Sequence, residues 1–297
     1  MFTNLKKAIQ AKDFLVTCEL APPKGHKTKE LIEYAASLKG LVHAINITDG
    51  QGGNMRMNSV IASYLVQRDA KVETICQMVC RDRNVIGLQA DILGASALGI
   101  NNFLALHGDQ AAGGDHPEAK DVFDISTEGL LKVFKEFEKG LDYAGNKLSE
   151  PVVDLCVGAA AHPGVPDLKA QAEKMKLRNE AGVDFFQTQI VYDLEQLKRF
   201  LGSINGVVQA PVLIGITPLK GLKMAKFMNE KVYGVSVPQN IFERLENTSD
   251  QRAEGLKIAL ELVTEAKKLG SQGVHIMAVG QEAQLTNIIE QVKLVSK

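Results

Sequence analysis

The chain has 297 residues, 45% hydrophobic and 23% charged, with a formal net charge of −1. That composition suits a globular chain with a large core, and the balanced charge excludes a global field that would attract nucleic acid or an anionic membrane. No apolar run reaches the ~18 residues of a spanning helix, and the opening MFTNLKKAIQ lacks the apolar core and cleavage site of a signal peptide, so a cytoplasmic location is expected.

In chain order, the first strand candidate is FLVTCELA, which carries Glu19 near its end and is closed by Pro22 and Pro23. The helical pattern KTKELIEYAASLKG follows, with Leu31, Ala35 and Leu38 on one stripe. Further strand candidates are AINITDG, ETICQMVC and NFLALHGD. The irregular stretch GDQAAGGDHPEAKDVFD comes next, and a loop of that length in a compact domain is usually functional. STEGLLKVFKEFEKG then reads as a helix capped by Ser126, with Leu130, Val133, Phe134 and Phe137 on its apolar stripe. DLCVGAAAHP, FFQTQIVYD, PVLIGITP and GVHIMAVG complete the strands. Ahead of the last one, YGVSVPQNIFERLENTSDQRAEG reads as an inserted short helix and cap before the helix LKIALELVTEAKKLG.

Near-continuous apolar strands separated by helices imply a parallel sheet covered on its faces. About eight such units close a single (β/α)8 TIM barrel spanning 1–297, the expected α/β fold and sole domain. An open doubly wound sheet is the rival, but it usually shows a glycine-rich fingerprint after its first strand. Here APPKGHKT follows that strand, and DGQGGN after the second lacks the G-x-G-x-x-G order. Cys18, Cys76, Cys80 and Cys156 include no C-x-x-C pair. They read as buried, reduced thiols, and no metal site is expected.

Barrel enzymes work at the C-terminal ends of their strands. Those positions hold Glu19, Thr48, Asp49, Arg81, His107, Gly108, Asp109, His162, Gln189 and His275. Burying so many polar groups on one rim costs free energy unless they share a purpose or partners. Each also has a plainer reading. Glu19 could pair with Arg81 or Lys24. Asp109 could form a turn or cap a helix. His162 could bond to nearby backbone, and the glycines of DGQGGN could only make turns. Gln189 is harder to dismiss, because a buried amide needs several partners.

Taken together, CELAPPKG, INITDGQGGNMRMNS, VCRDRN, FLALHGDQ, AAAHPG, KLRNEAGVDFFQTQIVYD and GITPLKGLKMAKFM resemble the methylenetetrahydrofolate reductase family over nearly the whole chain. The resemblance implies a flavin-dependent barrel that reduces 5,10-methylenetetrahydrofolate to 5-methyltetrahydrofolate, with FAD carrying the hydride. It implies that Glu19 is the general acid opening the substrate ring at N10, a role suited to a carboxyl group between apolar walls. It places Asp109 beside flavin and pterin, where its charge tunes the flavin. Gln189 falls at the pterin-binding position. The flavin contacts fall on Thr48, Gln77, His107, Gly108, Asp109, His162, Gln171, Lys174 and Arg178, and the substrate contacts on Glu19, Asp109, Gln189, Leu222 and Gln281.

Three positions depart from the family pattern. Gln77 stands where many members have histidine. Leu222 replaces an aromatic residue that stacks on nicotinamide or folate, which weakens the case for direct NAD(P)H docking and points to an electron-donating partner subunit in an oligomer or hetero-complex. Gln281 stands where some members have a folate-binding arginine. Two other readings compete. One is a folate-binding barrel that passes a methyl group to a corrinoid without flavin and purifies colourless. The other is a non-catalytic subunit, against which Glu19, Asp109 and Gln189 argue.

Overall fold

The computed structural model describes residues 3–296. Strands β1 (Leu15–Leu20), β2 (Ala44–Ile47), β3 (Thr74–Val79), β4 (Asn102–Leu106), β5 (Cys156–Ala161), β6 (Phe185–Ile190), β7 (Val212–Ile216) and β8 (Gly273–Ile276) pair in sequence order. All pairings are parallel, and β8 returns to β1 to close the barrel. The expected TIM barrel is therefore the fold.

Helix α1 (Asn4–Ala11) precedes the barrel. Around it run α2 (Lys29–Ser37), α3 (Ser59–Leu65), α4 (Val85–Ala97), α5 (Thr127–Glu138), α6 (Leu168–Glu180) and α7 (Leu194–Ile204). Helices α8 (Leu222–Lys231), α9 (Gln239–Glu246) and α10 (Gln251–Lys268) separate β7 from β8, and α11 (Leu285–Val295) ends the fold. The inserted short helix read from the sequence is α9, and Asp250 caps the helix after it. Asn58, Asn84, Ser126, Asp167 and Asp193 each accept a hydrogen bond from an N–H of the first helical turn. These caps fix where the loops end and the helices begin. No helix among the described residues is long and apolar enough to cross a membrane.

Alternation along the strands sorts the core into two clusters. Val16, Cys18 and Leu20 of β1, with Ile45, Met78, Phe103 and Phe186, face outward under the helices. Leu15, Ala44, Ile75, Leu104, Cys156, Phe185 and Leu213 fill the lower barrel, where Leu5 and Ala8 of α1 plug the opening. Full burial of a leucine such as Leu5 contributes about 1.5–3 kcal/mol. The Phe185 ring occupies the space a Cβ on Gly158 would take, so a small residue on β5 makes room for a large one on β6. Above this apolar floor the inward-facing side chains turn polar.

Candidate active site

The polar rim surrounds a cavity of about 440 Å³ at the C-terminal ends of the strands, within the usual size range of small-molecule sites. Glu19, Gln77, His107, Gly108, Asp109, His162, Lys174, Arg178 and Gln189 all line it. These positions come from six different elements or their loops, so the barrel gathers residues that are remote in sequence.

Glu19 points inward from β1. Gln77 on β3 donates a 3.1 Å hydrogen bond to Glu19 Oε2, and His275 Nε2 on β8 lies 3.9 Å from the same oxygen. The plainer reading of Glu19 as a partner of Arg81 or Lys24 does not match this geometry: Arg81 pairs with Asp82 and Lys24 with Asp115. The walls beside the carboxylate are polar, in contrast to the apolar enclosure expected of a proton donor.

Asp109 is held from the opposite rim. Gly52 N–H donates to its Oδ2 at 3.0 Å, and Arg81 Nη1 donates to its backbone oxygen at 3.0 Å. Gly108, at φ 96°, sits against Val79 and Arg81 and supplies the left-handed turn that a side chain would strain. The DGQGGN loop acts here as a packing surface. A Cβ on Gly114 would overlap the carbonyl of Gly53, so the β2 and β4 loops meet backbone to backbone. His107 stacks on Phe123, with ring centres 4.2 Å apart.

Gln189 owes its direction to an irregularity in β6. The β6–β7 register shifts between Gln187 and Ile190, and Thr188 Oγ1 accepts from Gly215 N–H at 2.9 Å. A bulge of this kind re-aims a strand side chain. Gln189 Oε1 accepts from Ile190 N–H, and its amide faces the cavity.

On the β5 side, the almost fully buried Arg178 donates to Glu128 Oε1 at 2.7 Å and to the Ala160 carbonyl at 3.0 Å. Burial alone would raise the Glu128 carboxyl, but Arg178 and nearby hydrogen bonds hold it down to about 2. His162 is pushed below the ordinary histidine range by burial and by the positive charges of Lys174 and Arg178. Its Nδ1 has no protein partner, so the backbone-bonded loop histidine is not what forms. Thr48 Oγ1 and Gln171 Nε2 are likewise buried without a partner. Unpaired buried polar atoms are uncommon and call for a ligand or water. His162 Nδ1 is thus an open position for a polar cofactor in the cavity wall, whereas Thr48 and Gln171 do not line the cavity.

Two expected substrate positions lie elsewhere. Leu222 opens α8, donates its N–H to Gln251 Oε1 and packs against the barrel–helix core. Gln281 Nε2 donates to the Pro218 carbonyl at 2.9 Å and ties the β7 and β8 loops together. Neither lines the cavity. Residues that do line it without having been singled out as contacts include Thr127, Gln187, Thr188 and Met277. Gln187 was detectable, because it shares a strand face with Gln189 two residues on. Met277 had no such signal. All four cysteines are buried and unbridged; burial pushes Cys76 up to about 12 and Cys80 to about 11. Among the described residues no group of three or more His, Cys, Asp or Glu could hold a metal ion.

Comparison with known proteins places the chain in a family. The family model for methylenetetrahydrofolate reductase matches residues 4–293. Methylenetetrahydrofolate reductase 1 of Schizosaccharomyces pombe is 21% identical over 266 residues, covering 85% of this chain but 41% of its own length, so the chain spans about two fifths of that relative. The 5,10-methylenetetrahydrofolate reductase of Salmonella typhimurium is 25% identical over 279 residues, covering 90% of this chain and 86% of its own. Among solved structures, a Clostridium thermocellum protein described as binding two copies of 5-methyl-5,6,7,8-tetrahydrofolic acid superposes with a TM-score of 0.64 at 19% identity, covering 98% of each chain. A mutant tryptophan synthase α-subunit from Pyrococcus furiosus shares the barrel at a TM-score of 0.51 and 12% identity, covering 96% of each chain. With the family model matched over residues 4–293 of a closed eight-stranded barrel, the chain belongs to the methylenetetrahydrofolate reductase family.

Proposed function

We infer that this protein reduces 5,10-methylenetetrahydrofolate to 5-methyltetrahydrofolate with bound FAD. The observation that carries the reading is the convergence of Glu19, Asp109 and Gln189 on one cavity whose wall also holds His162, with its Nδ1 unpartnered. When bound, the reduced flavin supplies the hydride.

The remaining chemistry falls to this chain's side chains. Gln189 presents an amide that both donates to and accepts from a pterin edge. Glu19, held by Gln77, donates a proton at substrate N10, which favours ring opening to the electrophilic iminium. Asp109, fixed by the Gly52 N–H, places negative charge beside the reacting rings. Thr48, Gln77, His107, Gly108, His162, Gln171, Lys174 and Arg178 would hold the cofactor. Lys174 and Arg178 lie four apart on α6 and so share one helix face. His162, kept neutral by its surroundings, offers hydrogen bonding without added charge.

The test begins with denaturation, which should release FAD in near-stoichiometric amount. Anaerobically reduced protein should then be reoxidised by methylenetetrahydrofolate. Protein that holds no FAD after reconstitution with excess cofactor overturns the reading. A colourless protein that binds methyltetrahydrofolate favours the corrinoid-linked methyl transfer instead. Parallel reduction with NADH, NADPH and reduced ferredoxin identifies the electron donor, including one delivered by a partner subunit, and a cytoplasmic location is proposed with it.

A further inference from the structure

Between the apolar floor of the barrel and the cavity lies a layer of buried polar side chains with no counterpart in the chemistry above. Thr17, Asn46, Gln187 and His275 come from β1, β2, β6 and β8, and all are almost completely buried. Asn46 Nδ2 donates to Gln187 Oε1 at 2.7 Å, and Gln187 Nε2 returns a bond to Asn46 Oδ1 at 3.2 Å. Gln187 Nε2 also points at Thr17 Oγ1 (3.2 Å) and His275 Nδ1 (3.4 Å), while Thr17 Oγ1 lies 2.9 Å from that nitrogen.

We propose that the Asn46–Gln187 amide pair, acting through Thr17, fixes His275 in the tautomer that carries its proton on Nε2 and so makes it a second hydrogen donor facing Glu19. In the observed arrangement the N–H end of the Gln187 amide meets the histidine, and the Glu19 carboxylate facing Nε2 selects it over the arrangement with both amides turned, which pairs equally well. A proton on Nδ1 would confront that N–H, so Nδ1 must accept. Thr17, accepting from Gln187, turns its own hydroxyl proton toward Nδ1 in preference to the Val274 carbonyl at 3.5 Å. The proton of the neutral ring is left on Nε2, the atom that faces the Glu19 carboxylate at 3.9 Å. The other tautomer would set a nitrogen lone pair against a carboxylate oxygen.

Asn46, Gln187, Thr17 and His275 are positioning residues in this scheme. A half-satisfied buried network would cost stability, whereas a fully satisfied one specifies a single arrangement. The role assigned to the layer rests on the reading of Glu19 as the proton donor; the tautomer itself does not. Other charged groups facing the same space are Asp49, Arg81 and Asp109 from the β2–β4 loops, and His162, Lys174 and Arg178 from the β5–α6 side. β3, β6 and β7 present no charged side chain to it.

Two measurements test the proposal. Nitrogen NMR of protein labelled at histidine reads the tautomer directly, with the His275 signals assigned by their loss in His275→Gln. An unprotonated Nδ1 is expected. A protonated Nδ1 overturns the proposal and means that the two amides are turned together. The second measurement is the pH profile of the folate half-reaction. Thr17→Val removes the hydroxyl donor to Nδ1 and should move the alkaline limb, where a proton-donating Glu19 is lost, upward by about one pH unit, a tenfold change in ionisation at fixed pH. Thr17→Ser should restore the wild-type profile. Gln187→Leu should act like Thr17→Val, and circular dichroism screens out variants that fail to fold. Unchanged profiles in folded Thr17→Val and Gln187→Leu overturn the role of the layer. A protein with the expected tautomer but no folate reduction at all supports the tautomer assignment and overturns the proposed function.

Discussion

Gln77 on β3 donates a 3.1 Å hydrogen bond across the barrel mouth to the carboxylate of Glu19 on β1. The amide is neutral, so the Glu19 carboxylate is oriented without a titrating group beside it on that side. Glu19→Gln is therefore expected to retain FAD and its reduction by a donor while losing most methylenetetrahydrofolate reduction, about 10²–10⁴-fold for a lost general acid. Stopped-flow measurement of the two half-reactions separates these effects. Near-normal turnover in the folate half-reaction would remove Glu19 from the mechanism.

The Arg178–Glu128 pair makes an acid-side stability expectation. The Arg178 side chain is 6% exposed and that of Glu128 52%, so solvent screens the pair from one side and its contribution is modest. Glu128 is held down to about 2 from an ordinary 4.5. A depressed carboxyl contributes stability above its unfolded value, and that contribution is lost as pH falls through the folded value. The loss should fall between about 4.5 and 2. Glu128→Gln should flatten the fall of Tm across that window and leave the pH dependence above about 5 unchanged. A variant that follows the wild-type curve below 4.5 would show that the pair adds nothing to acid stability.

The loop after β5 depends on an absent side chain. A Cβ on Gly164 would overlap the carbonyl of Gly234, in the connection between α8 and α9, so these segments touch backbone to backbone. Gly164→Ala should push them apart, cost about 1–3 kcal/mol of overpacking and weaken cofactor retention by displacing His162 two residues away. Gly202→Ala is the control. Gly202 lies within α7 with nothing within 4 Å of the added carbon, so alanine should stabilise by about 0.5–1 kcal/mol. Chemical denaturation and FAD titration of both variants check the contrast. Equal behaviour would mean that the Gly164–Gly234 contact gives way freely.

The strands were legible because a parallel sheet buried on both faces writes itself as short apolar runs, and the polar residue ending each run marked the rim. The deeper polar layer was harder to see. Asn46 and Thr17 sit inside apolar runs and look like tolerated exceptions until β6 brings Gln187 across the barrel. Helix α1 went unread because it precedes the first strand and plugs the barrel floor, a role set by tertiary packing. Leu222 opens α8, Gln281 lies in the loop after β8, and neither lines the cavity. Their side-chain directions depend on contacts with Gln251 and the Pro218 carbonyl, which no local pattern encodes.

Leu222 bears on the electron donor. In an aromatic platform at this position, stacking would add about 0.5–1.5 kcal/mol beyond burial, a factor of roughly 2 to 13 in affinity. The leucine side chain packs against the barrel–helix core, and its N–H is engaged by Gln251, so the position does not face the cavity. Restoring an aromatic ring there has no platform to complete. Leu222→Phe is expected to change the rate of flavin reduction by NADH or NADPH by less than about twofold, below the smallest effect that stacking would give. Gln251→Leu, which frees the N-terminus of α8, supplies the second arm: in that background the loop can turn, and Leu222→Phe should then act if the β7 loop is what docks nicotinamide. Stopped-flow reduction of the four proteins decides the matter. An acceleration within the 2- to 13-fold range in the single Leu222→Phe variant would show that the β7 loop swings its first helical residue into the cavity during turnover.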